Sequence, residues 1–118
     1  MGVGYFLVNY SKKEIVRFSH IPASTAHELA GNPVSAAIIT WYLLKHPGDQ
    51  IAFVSDTYED WPFPEGTHDE LSTYDEMTDV IVNALITEKI LRDEGILWAD
   101  EDEPERVFIR VLRNMWMD

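Results

Sequence analysis

Apolar residues fall on almost every side of the stretch from Asn32 to Leu44 when it is drawn as a helix, and this stretch carries no charge. Asn32 is a favourable N-cap, and Pro33 suits the first helical turn. Pro47 pushes the residue before it out of helical geometry. The pattern predicts a core helix over residues 33–46 that is buried on several sides. It is shorter than the roughly 20 apolar residues that a bilayer requires.

A second helical pattern covers residues 73–94. Thr73 and Glu76 have the spacing of a capping box, and Gly95 is a typical C-terminal stop. One broad apolar face is expected to cover a sheet. A second apolar stripe lies on another side of the helix and consists of Val82, Ile86 and Ile90. This stripe is expected to pack against the first helix or to pair with its own copy in a two-fold homodimer.

Runs rich in β-formers predict five strands, at residues 5–10, 14–19, 50–55, 96–99 and 106–112. The first two runs form a hairpin and the last two form a closing hairpin. The order ββαβαββ predicts one α+β domain over residues 1–118. Two main helices are expected to pack on a single, mainly antiparallel sheet.

Alternation within these runs assigns side chains to faces. In the first hairpin, Val16 and Phe18 form the better core face. In the last strand the expected inward residues are Val107, Ile109 and Val111, and the expected outward residues are Arg106, Phe108 and Arg110. Between the first hairpin and the main helix, Thr25 and Glu28 match a capping box, which predicts one helical turn before Gly31.

The run from Tyr5 to Glu14, YFLVNYSKKE, resembles the opening of small, uncharacterised bacterial proteins, some of which look like immunity proteins of toxin systems. The resemblance covers ten of the 118 residues and includes no catalytic motif. It implies a role in binding and inhibiting another protein.

The formal net charge of −12 bears directly on the choice of partner. Nucleic acids and anionic membranes repel such a chain, so neither is expected as a partner. Segments 56–79 and 93–105 hold sixteen of the 21 acidic residues. These acids either decorate solvated loops or form a surface for a basic protein. The N-terminus lacks the pattern of a signal peptide, and a cytoplasmic location is expected.

The segment from Asp56 to Leu71 is the most irregular part of the chain, because two prolines and one glycine interrupt it. It is longer than most loops in compact domains. Its aromatic residues could fold over the core as a lid or form an exposed recognition edge. The predicted partner-binding residues in this loop are Tyr58, Asp60, Trp61, Phe63, Glu65, Asp69 and Glu70.

Motifs for catalysis, metal binding and cofactor binding are missing from the sequence. The chain has no cysteine, its four histidines are scattered, and neither a phosphate loop nor a nucleophile elbow occurs. No catalytic residue, metal ligand or cofactor is therefore assigned. The favoured interpretation is a small acidic protein-binding module of immunity or inhibitor type. The alternative is a small enzyme or ligand-binding domain with a pocket at one end of the sheet, formed from Tyr5, Tyr10, Trp41, His46 and His68.

Overall fold

Helices and strands are interspersed along the chain in a computed structural model that describes residues 3–57 and 61–116. The elements, in chain order, are β1 (Tyr5–Asn9), β2 (Glu14–Val16), α1 (Ala26–Gly31), α2 (Pro33–Lys45), β3 (Ile51–Ser55), a 3-10 helix (His68–Thr73), β4 (Asp75–Glu76), α3 (Thr78–Thr87), β5 (Leu91–Ala99) and β6 (Phe108–Asn114). The predicted α+β class is confirmed. The order differs in detail, because the 3-10 helix and β4 add elements to the predicted series and α1 forms where a single helical turn before Gly31 was expected.

The strands form two sheets, whereas a single sheet was expected. The main sheet has the order β3-β1-β2-β4, with antiparallel neighbours except for the parallel pair β2–β4. Strands β5 and β6 form a separate antiparallel ribbon. The ribbon contacts α2 through β6 and α3 through β5. The ribbon therefore packs on the helices instead of extending the main sheet, and β4 forms the edge beside β2.

Both faces of the main sheet are covered, and each face has its own core. The helix-side core contains Leu7, Val16, Phe18, Ile21, Ala23, Leu29, Val34, Ile38, Tyr42, Ile81, Val82, Leu85 and Leu91. The loop-side core contains Val8, Ile15, Val54, Phe63, Leu71 and Tyr74. Val16 and Phe18 thus face the core as predicted, but their neighbour Ile15 is equally buried on the opposite face.

Helix α2 begins as the sequence indicates. The side chain of Asn32 accepts hydrogen bonds from the backbone N–H groups of Val34 (2.8 Å) and Ser35 (3.2 Å). Ile38 and Tyr42 are buried in the helix-side core. The side carrying Leu44 has no cover, and 69% of that residue is exposed. The expectation that the helix is buried on several sides is therefore wrong for its last turn.

Helix α3 is much shorter than predicted, since it begins later and ends earlier than the predicted range of residues 73–94. Glu76 belongs to β4, and its carboxylate accepts the backbone N–H of Thr78 at 2.9 Å. The helix ends before Lys89, whose φ of +63° is incompatible with further helical turns. The capping box at Thr73 is therefore wrong, whereas the one at Thr25 and Glu28 is confirmed.

Strand β5 takes residues 91–94 from the predicted helix. Gly95, expected as a helix stop, lies inside this strand with a φ of +107°, and its N–H bonds to the Asp93 carboxylate at 2.9 Å. The pairing with β6 is shifted at this point, as in a β-bulge. Residues such as Lys89 and Leu91 favour helices locally, but pairing with β6 decides the conformation here.

Candidate protein-binding surface

Phe63 and Trp61, the aromatic residues of the predicted binding loop that the structure describes, pack against the protein interior. Phe63 is only 8% exposed and stacks on Tyr10, with ring centroids 5.2 Å apart. Trp61 is half-buried, lies edge-on to both rings, and donates from its indole Nε1 to the carbonyl of Glu65 at 2.7 Å. The loop therefore covers the second face of the main sheet, as a lid does.

The acidic residues of the predicted set that the structure describes face the solvent. Glu65, Asp69 and Glu70 are exposed. Tyr58 and Asp60, which were also predicted to bind the partner, lie outside the described residues. The predicted binding residues therefore do not form one surface. Glu65, Asp69 and Glu70 are accessible to a partner, whereas Phe63 is already packed against the sheet.

An open groove of about 610 Å³ lies beside this loop and is lined by Arg17, Thr67, His68, Asp69, Leu71 and Ser72. Of the residues considered for an enzymatic pocket, His68 lies here. Tyr5 lines a different, apolar pocket, while Trp41 lies next to Lys45 on α2. The five residues of the enzyme hypothesis are therefore not gathered in one pocket.

A buried polar cluster surrounds the end of α2. The Tyr42 hydroxyl donates to the Glu14 carboxylate at 2.7 Å, and His46 stacks on the Tyr42 ring at 4.0 Å. Burial and, secondly, the bond to Glu14 raise the pKa of Tyr42. Tyr42 therefore stays protonated and ties α2 to the β1–β2 hairpin.

The predicted dimer stripe lies against other parts of the same chain. Val82 is fully buried in the helix-side core, and Ile86 and Ile90 are partly buried against it. This is the packing expected if α3 meets α2 within one molecule, and these two helices are in contact. A homodimer stays a prediction, and these three residues are not a free surface for it.

The largest exposed apolar side chains lie on the β5–β6 ribbon and just after it. Leu97 is 71% exposed and Trp98 51%. The other exposed apolar residues of this region are Ile96, Val107, Met115 and Trp116. Ile96, Leu97, Trp98 and Val107 lie toward the turn of the ribbon, whereas Met115 lies at its other end, where its N–H bonds to Ile90. Several exposed apolar residues close together are typical of interaction sites. We call residues 93–107 the ribbon tip, and this tip is the strongest candidate site for binding a partner.

The base of the ribbon is firmly attached to the protein. The Arg110 guanidinium contacts the carboxylates of Asp93 at 3.0 Å and Asp79 at 3.7 Å. The backbone N–H of Arg110 donates to the carbonyl of His20 at 2.9 Å. The ring of His20 stacks on Phe108, with centroids 3.7 Å apart. A fixed base lets the tip present its side chains at a defined orientation.

These contacts also correct the predicted faces of the last strand. Phe108 and Arg110 were expected to face outward, but both are held against the rest of the molecule. Val107 was expected inward and is exposed. A ribbon that lies on helices has no single buried face from which the alternation of residues could assign sides.

The ribbon tip is strongly acidic. Residues 93–105 of the tip contain seven carboxylates and no basic residue, and Arg106 follows them. The Gly95 N–H and the nearby Arg110 hold the pKa of Asp93 below its usual range. At the turn, the Asp100 carboxylate accepts the backbone N–H groups of Asp102 and Glu103, whose side chains are exposed, and the Glu103 carboxylate lies 3.8 Å from the Arg106 guanidinium. Apolar side chains bordered by negative charge favour a basic protein as partner.

Sequence reasoning recognised the charge of this region but missed its exposed apolar residues. Ile96 to Ala99 was interpreted as an ordinary half-buried strand, because a β-rich run gives no sign of whether its faces are covered. The dense acids on both sides of Leu97 and Trp98 are the signal that could have identified the site.

Comparison with known proteins finds no match to a family model, to a curated protein or to a solved structure. Across the described residues, no helix combines the length and apolar character needed to cross a bilayer. In residues 3–57 and 61–116, no three His, Asp or Glu side chains are grouped so that they could hold a metal ion.

Proposed function

We propose that the protein is a small acidic binding module that holds a basic protein partner at its ribbon tip. The observation that carries this proposal is the exposure of Leu97 and Trp98 within a segment that has seven carboxylates and no base. The resemblance of Tyr5–Glu14 to immunity-like proteins adds a more specific form of the proposal, in which binding inhibits the partner.

The two kinds of side chain at the tip have different roles in binding. Trp98 and Leu97 supply the affinity, because large apolar side chains that become buried at the centre of an interface carry most of its binding energy. The carboxylates accelerate encounter with a basic protein and align it, and salt weakens this effect. Such a complex is expected to lose affinity when either the tryptophan or the charge is removed.

A salt-dependent capture experiment with matched variants tests the proposal. The protein is immobilised and exposed to native lysate at low and high salt. Bound proteins are identified and then purified to measure Kd. The binding variant is Trp98→Thr, which keeps a β-forming residue in the strand. The control is Leu44→Gln, which removes another exposed apolar side chain, from α2, and keeps a good helix former.

The expected result is a basic protein that wild type and Leu44→Gln both capture, that Trp98→Thr loses, and that high salt releases. Equal capture by the wild type and Trp98→Thr would contradict the proposal, and so would a captured protein that is acidic or indifferent to salt.

A further inference from the structure

Strand β3, from Ile51 to Ser55, forms one edge of the main sheet. It pairs with β1 in an unbroken register from Tyr5 opposite Ser55 to Asn9 opposite Ile51. Within the described residues, no strand pairs with its outer side. The strand contains no charge, no proline and no bulge. Charges, prolines and bulges are the features by which natural edge strands avoid pairing with another chain, and β3 has none of the three.

The other sheet edges do carry such protection. Strand β4 has only two residues, Asp75 and Glu76, and both are acidic. The ribbon has register shifts and charged residues along both strands. Strand β3 thus differs from each of them, and its sequence IAFVS is suited to continuing the sheet.

Backbone hydrogen bonds reveal which groups of β3 face outward. Tyr10 donates its N–H to the carbonyl of Gln50, and Asp56 donates to the carbonyl of Gly4. Because antiparallel strands alternate between hydrogen-bonded and non-hydrogen-bonded pairs, Ala52 and Val54 bond toward β1. The backbone groups of Ile51 and Phe53 therefore point away from the sheet, where a further strand would bond.

An apolar pocket of about 240 Å³ lies on the helix side of the same edge, lined by Tyr5, Ala26, Leu29, Ala30, Ile39 and Phe53. The Phe53 ring meets Tyr5 edge-on at 6.4 Å, yet 38% of Phe53 stays exposed. Leu43, one helical turn beyond Ile39, is exposed as well. The helices thus leave this end of the helix-side core incompletely covered.

We propose that β3 pairs with β3 of a second copy of this chain, antiparallel and centred on Phe53. In this arrangement each Phe53 forms two backbone hydrogen bonds with its counterpart, and Ile51 lies opposite residue 55 of the copy. Both rings lie on the helix side of the joined sheet, where each covers the pocket edge of the other molecule as a cross-strand aromatic pair.

Charge favours a second copy over the basic partner at this edge. The pocket and the strand contain no carboxylate, so a basic protein gains no electrostatic attraction there, whereas a copy brings the same uncharged surface. Of the carboxylates that flank the strand, Asp49 already bonds to Asn9 at 2.9 Å and contacts Lys12. The remaining repulsion comes from Asp56, which is exposed directly after the strand, and from the net charge of −12 on each molecule, and salt screens both.

The first test is amide hydrogen exchange across a concentration series, combined with sedimentation. The expected result is a dimer that salt strengthens, in which the amides of Ile51 and Phe53 exchange at least about tenfold more slowly as dimer forms. Ala52 and Val54 bond within each molecule and stay protected at every concentration. A monomer at all concentrations in high salt overturns the proposal. A dimer whose Phe53 amide still exchanges freely also overturns it, because its interface lies elsewhere.

The second test places one new positive charge at the edge. Phe53→Lys is expected to raise the dimer dissociation constant about thirtyfold or more, since inward-facing lysines prevent edge pairing. Val80→Lys, at an exposed apolar residue of α3, changes the net charge equally and should leave the dimer intact. Equal effects of the two variants overturn the proposal. If Phe53→Lys does not fold, the exchange pattern of the wild type decides alone.

Discussion

Residues 61–74 and the β5–β6 ribbon both combine acidic residues with large apolar ones, but they place the apolar ones differently. In the loop, Phe63 and Leu71 are buried against the main sheet while the acids face solvent. In the ribbon, Leu97 and Trp98 are exposed along with the acids. Similar composition thus gives a structural lid in one region and a candidate binding surface in the other.

The difference arises from what lies beneath each region. The loop crosses a sheet face on which Val8, Ile15 and Val54 would otherwise be exposed to water. Burying the aromatic side chains of the loop there removes apolar area of both the loop and the sheet from water. The ribbon rests on helices whose inner faces already contact the sheet. Leu91 of the ribbon belongs to that core and Leu112 packs against it, while Leu97 lines a pocket beside Ile21 and Val34. Trp98 therefore lies beyond the apolar cover that the helices provide.

The largest expected effect distinguishes the two regions by stability. Phe63→Ala should lower the free energy of unfolding by about 3 kcal/mol, because it leaves a cavity among buried rings. Urea unfolding measures this change. Trp98→Thr should alter the same quantity by about 0.5 kcal/mol at most, as expected for an exposed side chain. Similar losses for both variants would contradict the contrast between lid and tip.

Binding should show the reverse pattern. Trp98→Thr is expected to cost about 2 kcal/mol of binding free energy, or about thirtyfold in Kd, as for a hot-spot residue. A substitution on the solvent side of the lid, Glu65→Gln, should leave Kd nearly unchanged. Calorimetry with the captured partner measures both values. A stronger effect from Glu65→Gln would transfer the proposed site to the loop.

Each region is also attached by one arginine, and the two attachments should differ in strength. Arg110 contacts two carboxylates, whereas Arg17 donates to the Leu71 carbonyl at 3.3 Å and is exposed. Arg110→Met should lower stability by about 1 kcal/mol and speed amide exchange in the ribbon. Arg17→Met should have a smaller effect, confined to residues near Leu71. Faster exchange in the ribbon from Arg17→Met would refute this assignment.

The Asp93 carboxylate, which accepts the Gly95 N–H and contacts Arg110, predicts a pH dependence of known sign. Folding lowers the pKa of Asp93, so its contribution to stability is complete above the ordinary aspartate value of about 3.9. The contribution is lost as the pH falls through the lowered value. Unfolding measured against pH should therefore show acid sensitivity in the wild type that is reduced in Asp93→Asn.

The smallest expected effect concerns charge alone. Glu101→Gln with Asp102→Asn should slow association with a basic partner about threefold at low salt. The matched pair in the loop, Glu65→Gln with Asp69→Asn, should have less effect if the partner docks at the ribbon. Stopped-flow or surface-based kinetics measures these rates. Equal slowing would mean that the whole field of the molecule, rather than the tip, steers encounter.

Local sequence signals were sufficient where a few neighbouring residues decide the conformation. Asn32 and Pro33 set the start of α2, Thr25 and Glu28 form the predicted capping box, and the first hairpin forms where its β-rich runs indicated. The same logic placed a helix over residues 88–94, which are in fact largely strand. There the hydrogen bonds to β6 outweigh a weak helical preference.

The sequence alone determined the α+β class, the start of α2, the first hairpin and the concentration of charge at residues 56–79 and 93–105. Tertiary structure decided that the loop covers a sheet face, that the ribbon stands apart from the main sheet, and that Leu97 and Trp98 are exposed. The physical reason is the distance along the chain over which each interaction acts. Caps, turns and charge clusters involve residues a few positions apart, whereas the burial of a residue depends on which distant segment packs against it.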